Sequence, residues 1–214
     1  MTTAIMTKRR GTGGGGYTPP TENLWGWWPL ASNATDSSGN GRNLANNGVT
    51  FTGSWGNFDT SDSLALSEVV STYPFTIIAH IQTTANTFGA IAAFQQDSVT
   101  NNYHGLITAS GDVYGRAMSN VGGTAPAIST TSVQTGSRLC IAGVWTSATS
   151  RKIYINGTYE AQNTTSKLYN ASIDIFKIGL VGTGGYFIGG IDNVLVYTAA
   201  LDQPTLAAIC AGFA

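Results

Sequence analysis

The chain has 214 residues, 42% of them hydrophobic, which suits a single all-β domain. Only 10% of the residues are charged and the formal net charge is −1, so we expect no basic surface for nucleic acid and no membrane contact. The 5 Trp, 9 Tyr and 8 Phe argue against disorder, and 27 Gly indicate many turns.

The first 23 residues differ in composition from the rest. Lys8, Arg9 and Arg10 form a basic cluster, and a glycine-rich stretch follows at residues 11–16. A secretory signal has the charge first and then about 7–15 apolar residues, so this start does not predict export. We predict an extended arm at residues 1–23, either a flexible tail or a segment bound to a partner, ahead of one domain at residues 24–214.

The rest of the chain reads as strands and tight turns. Residues 75–82 alternate with period two, and residues 139–145 are apolar on both faces, as in a central strand. Asn156 and Gly157 predict a type I′ hairpin turn between two further strands. Residues 189–197 form another strong strand, and only the end, from the capping residue Asp202, has a helical pattern.

This pattern predicts an all-β fold, a two-sheet antiparallel jelly-roll sandwich with a short C-terminal helix and an extended N-terminal arm. The expected core residues are Trp28, Phe75, Ile77, Val144, Ile153, Val194 and Val196. Cys140 and Cys210 lack the spacing of a metal or redox motif, and we predict that they are two buried, inert thiols.

Five segments, taken in order, resemble the laminin-G-like jelly-roll domains of the concanavalin A-like lectin/glucanase superfamily. They are residues 24–30 (LWGWWPL), 36–41 (DSSGNG), 75–81, 141–157 and 188–201. The resemblance covers residues 24–214 and leaves the arm outside. It implies two stacked sheets, one of them concave, with ligand sites of lectin members on the concave face or rim loops. Function does not follow from this fold alone.

Catalytic patterns are weak. Glycosidases need two carboxylates on one strand, yet the chain has only three Glu, and Asp174 stands alone between apolar neighbours. Asp59 and Asp62 are three apart, a spacing more typical of a turn than of one strand face. Neither His80 nor His104 lies beside a nucleophile motif. We therefore predict that the protein is not an enzyme.

One metal site is suggested by two carboxylates. Asp192 shares parity with Val194 and Val196, so it starts a row expected to face the core, where an unpaired carboxylate is costly. The resemblance implies that Asp36 and Asp192 meet at the edge of the sandwich and hold a structural Ca²⁺, which prefers such oxygen ligands. Alternatively, Asp36 makes an Asx turn and Asp192 accepts backbone N–H groups.

A carbohydrate site is suggested by polar and aromatic side chains on two adjacent predicted strands. These residues are Tyr103, His104, Tyr114 and Arg116. Aromatic residues on strands more often serve packing, so the pattern alone is not specific.

The first functional prediction is a structural protein of a bacteriophage virion, as capsid decoration or as a tail or fibre component. It rests on the missing export signal, the low charge and the arm, whose Lys8, Arg9, Arg10 and Tyr17 would anchor it to other virion subunits. A homo-oligomer on the virion surface is expected. The alternative is a carbohydrate-binding adhesin at a cell surface that binds glycans on its concave face, and a third possibility is a fragment of a secreted enzyme.

Overall fold

The structure consists of two stacked β-sheets and one helix. The computed structural model describes residues 17–97, 99–111 and 114–214. The strands are, in chain order, β1 (Leu24–Trp28), β2 (Ala45–Asn47), β3 (Thr50–Phe51), β4 (Gly56–Phe58), β5 (Ser63–Leu66), β6 (Phe75–Gln82), β7 (Gly89–Gln95), β8 (Asn102–Thr108), β9 (Tyr114–Val121), β10 (Thr124–Ser132), β11 (Leu139–Ser147), β12 (Ser150–Ile155), β13 (Thr158–Asn163), β14 (Ile175–Ile178), β15 (Leu180–Val181), β16 (Gly185–Tyr186) and β17 (Gly189–Tyr197). The helix α1 (Gln203–Gly212) follows β17.

The strands pair into two sheets, named A and B. Sheet A has the order β13-β12-β11-β6-β17-β4-β3, with β1 added beside β17. Sheet B has the order β10-β9-β8-β7-β14-β5-β2, with the hairpin β15–β16 attached to β7. The pairings are antiparallel except for one bridge between β16 and β7, and α1 connects no two described strands. The predicted antiparallel jelly-roll sandwich with a C-terminal helix is confirmed.

The main core lies between the two sheets. The alternation in β6 directs Phe75 and Ile77 inward, where Phe75 stacks on Trp145 with 4.8 Å between ring centroids. Six of the seven predicted core residues belong to this cluster. Val144 is also buried, but the same alternation in β11 that turns Trp145 inward turns Val144 to the other face of sheet A, under α1.

Helix α1 covers part of the outer face of sheet A. Asp202 caps it by accepting a hydrogen bond from the Thr205 N–H at 3.0 Å, as its position predicts. Leu206 and Ile209 on its buried side pack in one cluster with sheet residues such as Leu195. Within the described residues, no helix has the length and apolar character needed to cross a membrane.

A disulfide bond joins the helix to the sheet, so the prediction of two free thiols is wrong. Cys140 on β11 and Cys210 on α1 lie with Cα atoms 5.6 Å apart and are bonded. They are 70 residues apart in sequence, and only the packing of α1 on sheet A brings them together. Spacing along the chain therefore could not reveal this pair.

The last residues of the predicted arm pack on the domain. The ring of Tyr17 contacts that of Phe213, with centroids 4.9 Å apart, and the Tyr197 hydroxyl donates to the Pro20 carbonyl at 3.0 Å. Residues 17–23 thus continue the globular body beyond the boundary predicted at residue 24. Lys8, Arg9 and Arg10 lie outside the described residues.

The disulfide generates a stability prediction. Because the bond closes a loop of about 70 residues, its loss should lower the free energy of unfolding by about 4 kcal/mol. Urea unfolding of Cys140→Ser/Cys210→Ser beside the wild type, each with and without reductant, measures this. Reductant should shift the wild type toward the variant and leave the variant unchanged. Two alkylatable thiols in the untreated native wild type would contradict the assignment.

Candidate functional site

A groove lies on the part of the outer face of sheet A that α1 leaves open. Its cavity of about 570 Å³ is within the range typical of ligand sites, about 300–1,000 Å³. Its lining includes four aromatic side chains, a charged pair and an asparagine, and we call it the aromatic groove. These residues are Tyr17, Trp27, Trp55, Phe213, Arg138, Asp192 and Asn193.

Two tryptophans reach the groove for different local reasons. On β1, Trp28 points into the core and its neighbour Trp27 therefore points outward, with its ring centroid 5.7 Å from that of Phe213. Trp55 follows the β3 strand in a turn and its indole lies over Gly190 of β17. A Cβ at position 190 would lie 3.1 Å from Trp55 Cγ, so glycine permits this close approach.

Asp192 faces the groove because β17 contains a β-bulge. Its pairing with β6 shifts between Asp192 and Leu195, and Asn193 takes a positive φ of 47°. Val194 therefore points into the core, whereas Asp192 lies opposite His80 on the outer face. The prediction that Asp192 shares the core-facing row is wrong, because one extra residue reverses the alternation.

Arg138 neutralises the Asp192 carboxylate. Its Nε donates to Oδ1 at 3.2 Å and its Nη2 to Oδ2 at 2.5 Å, while Asn193 Nδ2 donates to Oδ2 at 2.8 Å. Arg138 Nη1 also donates to the Phe213 carbonyl, which fixes the chain after α1 against the groove. These bonds use three of its five N–H donors.

His80 beneath the groove is neutral. Burial and the Arg138 guanidinium lower its pKa to about 4, and its Nε2 lies 3.3 Å from the Cys210 carbonyl oxygen. The charge of Asp192 is therefore balanced by Arg138 rather than by His80.

Asp36, the second predicted metal ligand, holds a turn together. Its carboxylate accepts the N–H groups of Trp27, Ser38 and Arg42 at 2.8–3.1 Å, and the Ser38 hydroxyl at 2.8 Å. Burial raises the pKa of this carboxyl, but the hydrogen bonds outweigh burial and the net pKa is lowered. This arrangement is the Asx turn of the alternative prediction.

Trp27 links the two predicted metal ligands. Its backbone N–H bonds to Asp36, and its indole N–H donates at 3.3 Å to Asn193, which in turn donates to Asp192. Each carboxylate thus has its own donors, and this arrangement does not fit a shared cation. Among the described residues, no group of three or more His, Cys, Asp or Glu is placed to hold a metal. The calcium prediction from the sequence stays untested, and the donors on each carboxylate lead us to expect no shared ion.

The four predicted sugar contacts do not share one surface. Tyr103 and Arg116 lie on the outer face of sheet B, but Tyr103 is only 1% exposed because Val181 of the β15–β16 hairpin packs against it. Tyr114 is 37% exposed at the start of β9. His104 points the opposite way, into the core, so its prediction as a sugar contact is wrong.

His104 belongs to a buried polar cluster. Its Nδ1 lies 2.7 Å from Ser119 Oγ, which also accepts the indole N–H of Trp145. Burial, with a smaller effect of Arg151, lowers the pKa of His104 to about 3, so the ring is neutral. Because Ser119 and His104 have no exposed surface, the pair is not positioned to meet a substrate.

The carboxylates considered for glycoside hydrolysis accept hydrogen bonds from backbone N–H groups. Asp62 accepts the Asp59 N–H at 3.1 Å in the turn between β4 and β5, as their spacing suggested. Asp174 accepts the Asp97 N–H at 2.9 Å. These bonds stabilise loops.

Sequence reasoning missed most of the groove. Trp27, Trp55, Arg138, Asn193 and Phe213 were not singled out. One signal was available: Trp27 and Trp28 are consecutive on a strand, and period two directs one of them outward. The contribution of Arg138 and Phe213 arises only from the packing of the chain end.

The comparisons with known proteins agree with this architecture. Residues 57–207, more than half of the chain, match the family described as the concanavalin A-like lectin/glucanases superfamily. No curated protein matches the sequence. Domain 4 of AbnA, an extracellular GH43 arabinanase from Geobacillus stearothermophilus, solved in complex with arabinotriose, is 17% identical with a TM-score of 0.72, over 88% of this chain and 98% of that domain.

Binding domains of botulinum neurotoxins share the same fold. A structure of botulinum neurotoxin type C, whose cell entry depends on interaction with two ganglioside molecules, is 12% identical with a TM-score of 0.69. The DC binding domain in complex with SialylT is 10% identical with a TM-score of 0.69. Each alignment covers 91% of this chain but 52% of the toxin chain, so this chain spans about half of those structures.

The hydrogen bonds of Asp36 predict acid sensitivity. Because its folded pKa is lowered, its stabilisation is present above the unfolded pKa of about 3.9 and is lost as pH falls through the folded pKa. We expect Asp36→Asn to reduce the free energy of unfolding at pH 7 by about 1–2 kcal/mol. The loss should shrink below pH 4 in denaturant titrations. Glu22→Gln, at an exposed carboxylate, is the control, and an equal loss in both variants would contradict this role.

Melting curves with and without a chelator test the predicted calcium ion. The donors on Asp36 and Asp192 predict an unchanged melting temperature. A fall that added Ca²⁺ reverses, and that Asp36→Ala abolishes, would establish the metal site instead.

Proposed function

Because this chain belongs to the concanavalin A-like lectin/glucanases superfamily, we propose that it is a non-enzymatic carbohydrate-binding module whose ligand lies in the aromatic groove. The observation that carries the proposal is the composition of that groove. Aromatic rings offer apolar faces to the C–H face of a sugar, and the groups beside them bond its hydroxyls. The groove provides both within one cavity.

The polar groups suit hydroxyl recognition. Arg138 is half-buried, and its bonds to Asp192 and Phe213 use three of its five N–H donors. Burial raises the pKa of the Tyr17 hydroxyl, so at neutral pH it is a phenol that both donates and accepts. The ion pair holds Arg138 in one geometry, which lowers the entropy lost on binding.

The structural neighbours support a glycan as ligand. The arabinanase domain was solved with arabinotriose, and entry of type C neurotoxin depends on gangliosides. At 17% and 12% identity these likenesses concern the fold, so the location of the site is argued from the groove alone.

The adhesin prediction places the glycan on the concave face, and three of its four candidate contacts lie away from the aromatic groove, on the outer face of sheet B. There Tyr114 is exposed and Arg116 is half-buried, whereas Tyr103 is covered. We place the ligand in the aromatic groove because several rings converge there on one cavity. Tyr114 serves as the test of the other face.

The virion role stays a prediction, as do the homo-oligomer and the location on a virion or cell surface. It depends on Lys8, Arg9 and Arg10, which lie outside the described residues. Because residues 17–23 pack on the domain, a deletion that tests the arm should stop at residue 16. Loss of particle attachment with an unchanged melting temperature would support that role.

A glycan array followed by calorimetry tests the proposal. We expect Trp27→Ala to weaken binding at least tenfold, because it removes a central ring of the groove. Tyr159→Ala, at an exposed tyrosine on β13, is the matched control and should bind normally. Protection of the wild type against thermal unfolding by the same glycan gives a second readout that does not depend on the fold of a variant.

Two outcomes would contradict the proposal. Binding that survives Trp27→Ala but is lost in Tyr114→Ala would move the site to sheet B. Absence of binding to every glycan on the array, including arabinotriose, would reject the carbohydrate-binding function.

A further inference from the structure

A second cavity of about 310 Å³ lies beside the aromatic groove. Trp55 lines both cavities, and the second also includes Gln82 of β6 and Gly190 of β17. The sequence analysis assigned no function to this second cavity, and the proposed ligand site lies in the aromatic groove beside it.

The two cavities follow one another along the same strands. Gly190 pairs with Gln82 at the second cavity, and Asp192 pairs with His80 at the aromatic groove. Residues two apart on a strand share one face and lie about 7 Å apart. Their lining residues thus form a continuous path across the open part of sheet A.

Trp55 stands at the junction of the cavities. Its indole lies against the bare backbone of Gly190, and the turn that carries it is closed by a hydrogen bond from Thr52 N–H to the Trp55 carbonyl at 3.0 Å. The Trp55 indole is therefore held in a position that borders both the aromatic groove and the second cavity.

The charged side chains of this path balance each other. Among the residues that the structure describes, the charged side chains lining the two cavities are Arg138 and Asp192, and these are paired with each other. The uncharged polar groups of the second cavity include the exposed amide of Asn57 and the amide of Gln82. The Gln82 Nε2 donates to the Gly136 carbonyl at 2.7 Å, which leaves Oε1 as an acceptor. Such a surface favours an uncharged ligand rich in hydroxyl groups.

We propose that the two cavities are consecutive subsites for an uncharged linear oligosaccharide, with Trp55 as the ring shared by neighbouring sugar units. This inference rests on the proposed carbohydrate-binding function and adds the class of ligand: a chain of at least two neutral units rather than a single terminal sugar or an acidic glycan.

Calorimetry with ligands of increasing length tests this inference. The probes are neutral cello-, xylo- and manno-oligosaccharides of one to four units, with oligogalacturonides of the same lengths as acidic counterparts. For the preferred neutral series we expect affinity to rise at least tenfold between one and three units. The acidic series should not bind more tightly than the neutral one.

Variants connect this length dependence to Trp55. Trp55→Ala should abolish most of the rise in affinity with oligosaccharide length, and Trp55→Phe should keep part of that rise. Gly190→Ala, whose Cβ would displace the indole, should reduce the gain without removing the ring. Gln82→Ala should weaken the trisaccharide, while Tyr159→Ala should give wild-type affinities at every length.

The outcomes separate this inference from the function on which it rests. If a monosaccharide binds in a Trp27-dependent manner and longer chains bind no better, the extended groove is wrong and the binding function stands. Tighter binding of the acidic series would overturn the neutral ligand class. If no saccharide binds at any length, both the inference and the proposed function fail.

Discussion

The bulge in β17 is the constraint on which the candidate site depends. At Asn193 the backbone adopts φ +47°, a conformation that asparagine tolerates better than most residues, and the strand changes the face of its side chains. Asp192 thereby reaches the outer face and pairs with Arg138, which also bonds the Phe213 carbonyl. Asn193 itself bonds both Asp192 and Trp27. One irregular residue thus orients a charged pair and an aromatic ring toward the same cavity.

Helix α1 and the aromatic groove lie side by side on the outer face of sheet A. The apolar part of this face is covered by α1, which the bond between Cys140 and Cys210 attaches to β11. The chain then places Phe213 at the end of the helix, where its ring contacts those of Tyr17 and Trp27. Helix α1 therefore covers the apolar part of the face, and Phe213 at its end supplies one wall of the groove.

The sequence was sufficient for the fold because its signals were local. Alternation in residues 75–82 and the capping position of Asp202 depend on nearest neighbours and were confirmed. The site depended on contacts distant in sequence. The alternation of strand residues predicted the wrong face for Asp192, because a sequence pattern of period two does not reveal a bulge. The same alternation, applied to Tyr103 and His104, would have shown that these neighbours face opposite sides of the sheet. The disulfide forms because α1 packs on sheet A, and the spacing of the two cysteines along the chain does not reveal that packing.

The proposed glycan site lies on the outer face of sheet A beside Phe213. The five tryptophans report on it directly, because Trp27 and Trp55 line the groove whereas Trp25, Trp28 and Trp145 belong to the core. The most direct measurement follows the five indole N–H resonances by NMR while a neutral oligosaccharide from the array is added. We expect saturable shifts of the Trp27 and Trp55 resonances, with the other three unchanged. Saturable binding of the same oligosaccharide in calorimetry, with the Trp27 and Trp55 resonances unmoved, would contradict this location.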